Sequence, residues 1–103
     1  MTFQTEQESF WAGDFGDQYI ERSLSWDHTR RRLGFLVRVL EHVSRLESVI
    51  EFGANIGHNL RALRLLVPTA KLSAIEINDK ACAELNKLNL EEVYHQSILD
   101  FQP

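Results

Sequence analysis

The spacing of the hydrophobic positions changes along the chain, and each change predicts a different kind of element. Residues 1–24 mix aromatic and acidic side chains around Gly13 and Gly16, which indicates two short helical turns. From Trp26 to Arg45 apolar residues recur at steps of three and four, so we predict a long helix there. At Ser48–Phe52 a compact β-branched and aromatic run replaces this spacing and predicts a buried strand.

Two further helix and strand units follow the first strand. A leucine stripe that ends before Pro68 predicts a helix, and residues 72–77 predict a second strand buried on both faces. Asn78 can cap the next helix, and residues 93–96 predict a third strand. Strands that alternate with helices favour right-handed crossovers, so the predicted fold class is α/β with a parallel sheet, the first half of a doubly wound domain.

The pattern predicts a single domain made of a helical segment, residues 1–45, and a β-α-β-α-β half, residues 46–103. In the usual strand order of such sheets the first strand is central and pairs with a fourth strand on its far side. Three strands are predicted here, so we expect a partial sequence whose first strand has a bare edge. Edges of this kind recruit other chains, which predicts self-association.

Composition narrows the function classes. The 103 residues are 44% hydrophobic and 25% charged, as in a soluble globular protein with one modest core. The net charge of -4, with basic residues mostly scattered, disfavours nucleic acid as a partner. Cys82 is the single cysteine, so we expect no internal disulfide, no zinc site and a reducing compartment. Without an apolar signal core or a run of about 18 apolar residues, we predict a cytoplasmic protein with no membrane partner.

The residues with candidate chemistry lie between the first strand and the following helix, in the run Glu51-Phe52-Gly53-Ala54-Asn55-Ile56-Gly57. Ligands of parallel α/β sheets bind beside such turns, at the carboxyl ends of the strands. Gly53 would let the backbone turn sharply as it leaves the strand. Gly57 would let the start of the helix approach a ligand with no Cβ in the way.

Spacing separates three kinds of nucleotide-binding loop. A triphosphate loop needs Lys and then Ser or Thr after its last glycine, where this chain has His58 and Asn59. The dinucleotide fingerprint would need glycines at positions 55 and 58. The remaining pattern is an acid two residues before Gly-x-Asn-x-Gly, followed by Glu76 at the end of the second strand. This pattern resembles motifs I and II of class I S-adenosylmethionine-dependent methyltransferases.

The chemistry of S-adenosylmethionine agrees with this resemblance. The molecule has no phosphate and has a cationic sulfonium, so its site tolerates carboxylates such as that of Glu51. Glu76 could accept hydrogen bonds from both ribose hydroxyls. The resemblance implies a Rossmann-like fold and the following cofactor-binding residues: Glu51, Gly53, Ala54, Asn55, Gly57, Glu76, Ile77, Ser97 and Ile98.

In the family a stretch after the third strand meets the adenine ring. The resemblance places Ser97 where an acidic residue is commoner and Ile98 against the ring, with Asp100 as a substitute for the missing acid. Asn55 replaces the middle glycine of the loop, and asparagine tolerates a left-handed backbone better than most residues.

Several interpretations stay open. Trp11, Tyr19 and Arg22 are candidate lid residues, with Arg22 reaching the cofactor carboxylate; the alternative is packing of this segment against the long helix. Glu51 could instead cap the amides of its own loop. We expect the three consecutive arginines 30–32 to be solvated.

The resemblance extends beyond the loop. The run from Thr5 to Arg22, together with residues 51–57, resembles the methylases associated with pseudaminic acid biosynthesis, which are bacterial class I methyltransferases longer than this chain. It implies methyl transfer to an oxygen or nitrogen of a small molecule such as a sugar or sugar nucleotide, with catalytic residues after position 103 and the fragment alone inactive. Two alternatives are a nicotinamide-dependent oxidoreductase half-domain and a non-catalytic interaction module.

Overall fold

The structure, a computed structural model, describes residues 3–23 and 26–103, without the side chains of residues 20–26. The elements are α1 (Glu6–Ala12), α2 (Asp14–Ser23), α3 (Trp26–Leu40), β1 (Ser48–Phe52), α4 (His58–Leu66), β2 (Lys71–Glu76), α5 (Asp79–Leu85) and β3 (Glu92–His95), with short 3-10 turns at Asn86–Leu88 and Ile98–Asp100. The order agrees with the two predicted helical turns and with the predicted β-α-β-α-β half. In the described ranges no helix combines the length and the apolar character that crossing a membrane requires.

The three strands form one parallel sheet in the order β1-β2-β3, which confirms the predicted fold class. Phe52 pairs with Ile75, and Glu76 pairs with His95, so all three strands end at the same edge of the sheet. Side chains that follow these strands therefore lie close together. In the part of the chain that the structure describes, β1 has a neighbouring strand on one side only.

The core is centred on β2. Leu72 and Ile75 are fully buried, and Leu60 of α4 and Leu85 of α5 are buried with them. The leucine stripe of α4 thus faces inward as its spacing predicts, although Leu66 at its end is only half-buried. Burying a leucine or isoleucine side chain stabilises the fold by about 1.5–3 kcal/mol, so this cluster fixes the sheet against its helices.

The prediction that β1 is a buried strand was wrong. Val49 and Glu51 are half-buried, whereas Ile50 and Phe52 on the other face are 39% and 50% exposed. The apolar run places its residues on both faces of the strand, because successive side chains point in opposite directions. Within the described residues, helices and neighbouring strands bury one of these faces far better than the other.

The predicted extent of α3 was also too long, because the helix ends at Leu40 and not at Arg45. Beyond Leu40 the chain tightens: His42 N–H donates to the Val39 carbonyl and Val43 N–H donates to the Leu40 carbonyl, both at i−3 spacing. Val43, which continues the apolar spacing in the sequence, is largely exposed. Because Val43 is hydrophobic, the apolar spacing of the sequence predicts a longer helix than the structure has.

Candidate functional site

A cavity of about 660 Å³ lies at the carboxyl ends of β1 and β2. Its walls come from the loop after β1, the ends of β2 and β3, and the helices α1 to α4. The lining includes seven of the nine residues predicted to bind a cofactor and two of the three candidate lid residues: Glu51, Gly53, Ala54, Asn55, Glu76, Ile77, Ile98, Trp11 and Tyr19. The predicted positions therefore converge on one space, while their contact with a ligand stays a prediction.

The loop after β1 turns through three left-handed positions. Gly53 has φ 71°, Asn55 has φ 54° and Gly57 has φ 83°, values that suit glycine and asparagine. The amides of Gly53 and Ala54 both donate to the Ile75 carbonyl of β2, which ends β1 and directs the loop across the top of the sheet. Asn55 thus fits a position where most other residues would be strained.

Gly57 has a different role from the one its sequence suggests. It does not line the cavity. A Cβ at Gly57 would lie 2.6 Å from Leu88 Cδ1 and 2.9 Å from Leu85 Cδ2. The missing side chain therefore makes room for Leu85 and Leu88 of the core, while contact of Gly57 with a ligand stays a prediction.

Glu76 lines the cavity but is nine-tenths buried, and backbone amides already contact both of its carboxylate oxygens. Oε1 accepts a hydrogen bond of 2.8 Å from Asn55 N–H. Oε2 accepts from Ile77 N–H and Asn78 N–H, each at 2.8 Å. The structure thus gives Glu76 the loop-capping role that the sequence left open for Glu51. Since each carboxylate oxygen can accept about two hydrogen bonds, Oε1 keeps capacity for one more donor.

Glu51 is held differently. Oε2 accepts a hydrogen bond from the Asn59 amide, whereas Oε1 is buried without a hydrogen-bond partner. Burial raises the pKa of the Glu51 carboxyl above its ordinary value; the Asn59 hydrogen bond and the charge of Arg32 oppose the rise, and the charge of Glu76 adds to it. An unpartnered buried oxygen on the cavity wall is a ready acceptor for a ligand's N–H group.

The wall between α3 and α4 is basic and aromatic. His28 stacks on His58 with ring centroids 5.2 Å apart, and His58 Nδ1 lies 2.8 Å from the hydroxyl of fully buried Thr29. Arg32 also reaches the cavity, while Arg30 is exposed beside Asp27 as expected. Arg32 is exposed, as expected, and in addition it lies one helical turn after His28, where it lines the cavity.

The third predicted stretch is divided between the cavity and a turn. Ile98 and Leu99 line the cavity. Ser97 does not: its buried hydroxyl accepts from Leu99 N–H, which caps the 3-10 turn, and donates to the Glu8 carboxylate of α1. Ser97 thus lies off the cavity, and its contact with a ligand stays a prediction. Asp100 accepts from the Gln4 side chain and likewise lies off the cavity.

The helices α1 and α2, which we call the N-terminal cover, form the remaining wall. Trp11 and Tyr19 line the cavity and meet edge to face with centroids 5.5 Å apart. They lie within a larger aromatic cluster that includes Phe10 and Phe15. The side chain of Arg22, the third candidate lid residue, lies outside the described residues.

Solved structures with a similar fold are plantazolicin methyltransferases. BpumL with a monoazolic desmethylPZN analogue and SAH matches with a TM-score of 0.68 and 19% identity, over 94% of this chain and 40% of that chain. BpumL with SAH matches with a TM-score of 0.66 and 20% identity, over 92% and 40%. BamL with a triazolic analogue and SAH matches with a TM-score of 0.62 and 20% identity, over 94% and 40%.

The chain has part of a Rossmann-like methyltransferase fold. It spans 40% of the length of these solved chains. No protein-family model matches the sequence, and a search of curated proteins finds no significant match.

Several residues of the cavity in this methyltransferase fold were not predicted. Asn59 holds Glu51 from eight residues further on, and Glu8 of α1 reaches the end of β3. Asn78 was predicted only as a helix cap, and it also lines the cavity. Asn59 and Asn78 lie close in sequence to Glu51 and Glu76, so their positions could have been considered, whereas only tertiary packing brings Glu8 to Ser97. Among the described residues no group of three or more His, Cys, Asp and Glu side chains could hold a metal ion.

Proposed function

We propose that the cavity binds S-adenosylmethionine and that the protein transfers its methyl group to an oxygen or nitrogen of a small molecule. The observation that carries this proposal is the buried, unpartnered Oε1 of Glu51 on the cavity wall. A buried carboxylate oxygen is costly unless a donor or a positive charge meets it. S-adenosylmethionine has both, as an ammonium group and a sulfonium.

The cavity has a chemically matched surface for each part of this cofactor. Glu51 would hold the ammonium group, and the loop of Gly53 to Asn55 would follow the chain from it toward the ribose. The remaining acceptor capacity of Glu76 Oε1 would take one ribose hydroxyl. Ile77 and Ile98 offer apolar surface for the adenine ring, as the family resemblance implies. The crystallised relatives BpumL and BamL have SAH, the demethylated cofactor, in their structures.

The chemistry that the cofactor would supply when bound is an electrophilic methyl group: a lone pair of the acceptor would attack the methyl carbon, the carbon–sulfur bond would break, and SAH would leave. The contribution of this chain is to hold the cofactor and to orient its methyl group toward the acceptor. The loop and the two carboxylates fix the cofactor, and Trp11 and Tyr19 exclude water above it. We assign no catalytic base among the described residues.

Two acceptor classes are worth testing. The resemblance in residues 5–22 to the pseudaminic acid-associated methylases suggests a sugar or sugar nucleotide in surface glycan synthesis. The solved structures BpumL and BamL are plantazolicin methyltransferases in complex with desmethylPZN analogues, which suggests a molecule of that kind as the second acceptor class. The single cysteine suits a reducing compartment, so we propose that the reaction takes place in the cytoplasm.

Ligand-induced stabilisation tests the cofactor assignment. SAH is expected to raise the melting temperature, since a ligand at 100 times its Kd stabilises by about 2.7 kcal/mol. NAD⁺ is expected to leave it unchanged, which separates methyl transfer from the oxidoreductase alternative. A well-folded chain that SAH and S-adenosylmethionine both fail to stabilise would contradict the proposal and favour an interaction module.

A matched pair of variants locates the binding. Glu51→Gln removes the buried charge and should weaken SAH binding about tenfold, the loss expected for one charge-assisted hydrogen bond. Glu47→Gln makes the same chemical change at an exposed residue paired with Arg45 and should bind SAH as the parent does. Equal weakening in both variants would place the ligand elsewhere.

A further inference from the structure

Asn78 is buried, with 2% of its surface exposed, at the start of α5. Its Oδ1 accepts a hydrogen bond of 2.9 Å from Ala81 N–H, which is the usual N-cap of a helix. Aspartate, serine and threonine also provide this acceptor. The N-cap alone therefore does not explain why the residue is asparagine.

The other half of the same amide contacts the N-terminal cover. Nδ2 donates to the Trp11 carbonyl at 2.9 Å and to Asp17 Oδ1 at 2.8 Å. Trp11 lies in the last turn of α1, where carbonyl groups have no partner within the helix. One side chain thus begins α5 and satisfies the end of α1. Serine and threonine have one O–H donor beside the acceptor, whereas asparagine alone among the common N-cap residues has two N–H donors, which match the two acceptors Trp11 and Asp17.

Apart from Asn78, the Ser97 hydroxyl contacts the cover by donating to the Glu8 carboxylate. α1 has no buried residue, and Trp11 is 45% exposed, so apolar burial contributes little to the position of α1. The approach is close: a Cβ at Gly16 would lie 1.7 Å from the Trp11 carbonyl oxygen and 3.1 Å from Asn78 Nδ2. The absence of a side chain at Gly16 lets the two helices meet at Asn78.

The backbone of Asn78 also belongs to the proposed cofactor site. Its N–H donates to Glu76 Oε2 at 2.8 Å, the oxygen that also accepts from Ile77 N–H. A continuous set of hydrogen bonds therefore runs from Glu76 through Asn78 to Trp11 and Asp17.

From this arrangement we infer that Asn78 is a positioning residue, which holds the N-terminal cover over the cavity and couples its placement to occupancy of the Glu76 site. The inference rests on the proposed function for the identity of the ligand. It predicts that loss of the Nδ2 donor moves Trp11 away from the cavity and weakens SAH binding while the α5 cap persists.

The experiment follows Trp11 by its fluorescence. Trp11 and Trp26 are the two tryptophans, so a Trp26→Phe background isolates Trp11. In this background SAH is expected to protect Trp11 from acrylamide. Asn78→Asp keeps the acceptor for Ala81 but loses the donor and faces Asp17 with a like charge. Trp11 should become more accessible to acrylamide without ligand, and SAH affinity should fall about tenfold.

Two controls separate this effect from a general loss of stability. Asn89→Asp makes the same change at an exposed left-handed position that both residues tolerate, and should behave as the parent. Adding Asp17→Asn to Asn78→Asp reverses donor and acceptor and should recover part of the protection. If Asn78→Asp does not fold, Asp17→Ala against Asp17→Asn tests the same contact from the cover, because only the second keeps the acceptor.

The outcomes are distinct for the two proposals. If the background protein does not bind SAH, the proposed function fails, and the ligand-free accessibility of Trp11 still tests the placement of the cover. If Asn78→Asp leaves both the accessibility of Trp11 and the affinity for SAH unchanged, the inference about Asn78 is overturned.

Discussion

At the scale of single residues, burial of the Glu51 carboxylate lowers the stability of the fold, while the same group is proposed to bind the cofactor. Its pKa is raised in the folded chain by burial, so the folded state favours the protonated form. The contribution of Glu51 to folding stability is therefore greatest below its ordinary pKa of about 4.5. This contribution is lost as the pH rises through the raised pKa of the folded state. Burial therefore makes the ionised form of this carboxyl the less stable one in the unliganded chain.

Glu51→Gln should for this reason raise the melting temperature at pH 7 while weakening SAH binding. A domain of this size gains about 4–8 °C for each kcal/mol. The gain should disappear near pH 4, where the parent carboxyl is protonated as well. Thermal unfolding from pH 4 to pH 8 measures both trends. A variant less stable than the parent at pH 7 would show that the charge of Glu51 is compensated within the free protein.

Cys82 gives a second prediction at this scale. Its thiol contacts the Glu76 carbonyl, and burial together with the charges of Glu76 and Asp79 raises its pKa to about 12. At pH 8 the thiolate fraction should be about a thousandfold below that of an unperturbed cysteine. A thiol reagent should react with Cys82 only after unfolding in urea. Rapid reaction in the native protein would show that α5 opens readily.

At the scale of elements, three glycines should respond differently to alanine. Gly57→Ala meets Leu85 and Leu88 and has φ 83°, so we expect a loss of about 1–3 kcal/mol. Gly53→Ala has φ 71° in open space and should cost about 1–2 kcal/mol from its backbone alone. Gly34→Ala lies in the exposed interior of α3 and should stabilise by about 0.5–1 kcal/mol.

Urea unfolding of the three variants measures this order. Gly34→Ala serves as the matched control, since it adds the same side chain at an exposed helical position, where alanine has a higher helix propensity than glycine. Equal stability of Gly53→Ala and Gly57→Ala would show that the two leucines move aside without cost.

The elements also show where sequence patterns succeed. The limits of β1 agree with its apolar run, while β2 and β3 each lie one residue earlier than predicted. β2 ends at Glu76 and not at Ile77, because the Glu76 carboxylate accepts the hydrogen bond of the Ile77 N–H in place of a neighbouring strand. The end of α3 was missed because Val43 is hydrophobic but exposed. Side-chain capping and exposure decide such ends, and periodicity does not encode them.

At the scale of the whole molecule, the topology brought the predicted residues together. Knowing that parallel strands end at one edge was enough to place Glu51, Glu76 and Ile98 around one cavity. The division of hydrogen bonds among them was not predictable, because the partners of the two carboxylates come from Asn59 and from loop amides. The positions of Ser97 and Gly57 off the cavity were not predictable for the same reason, because their partners, Glu8 and Leu88, lie far away in sequence.

The free side of β1 predicts self-association of the 103-residue chain. Ile50 is 39% exposed on a strand with one neighbour in the described residues. Sedimentation velocity should show a mass that rises with concentration. Ile50→Lys should shift the chain toward monomer, whereas Val39→Lys, at a 42% exposed site on α3, should not. A monomer at all concentrations would refute this prediction.

The contact between Asn78 and Trp11 has a further consequence for biosynthesis. The two residues are 67 positions apart, so α1 lacks its terminal partner until β2 and the start of α5 have emerged from the ribosome. Seven residues are too few for a stable helix in water. α1 thus acquires its native conformation late, and the nascent cleft stays open until the start of α5 has been synthesised.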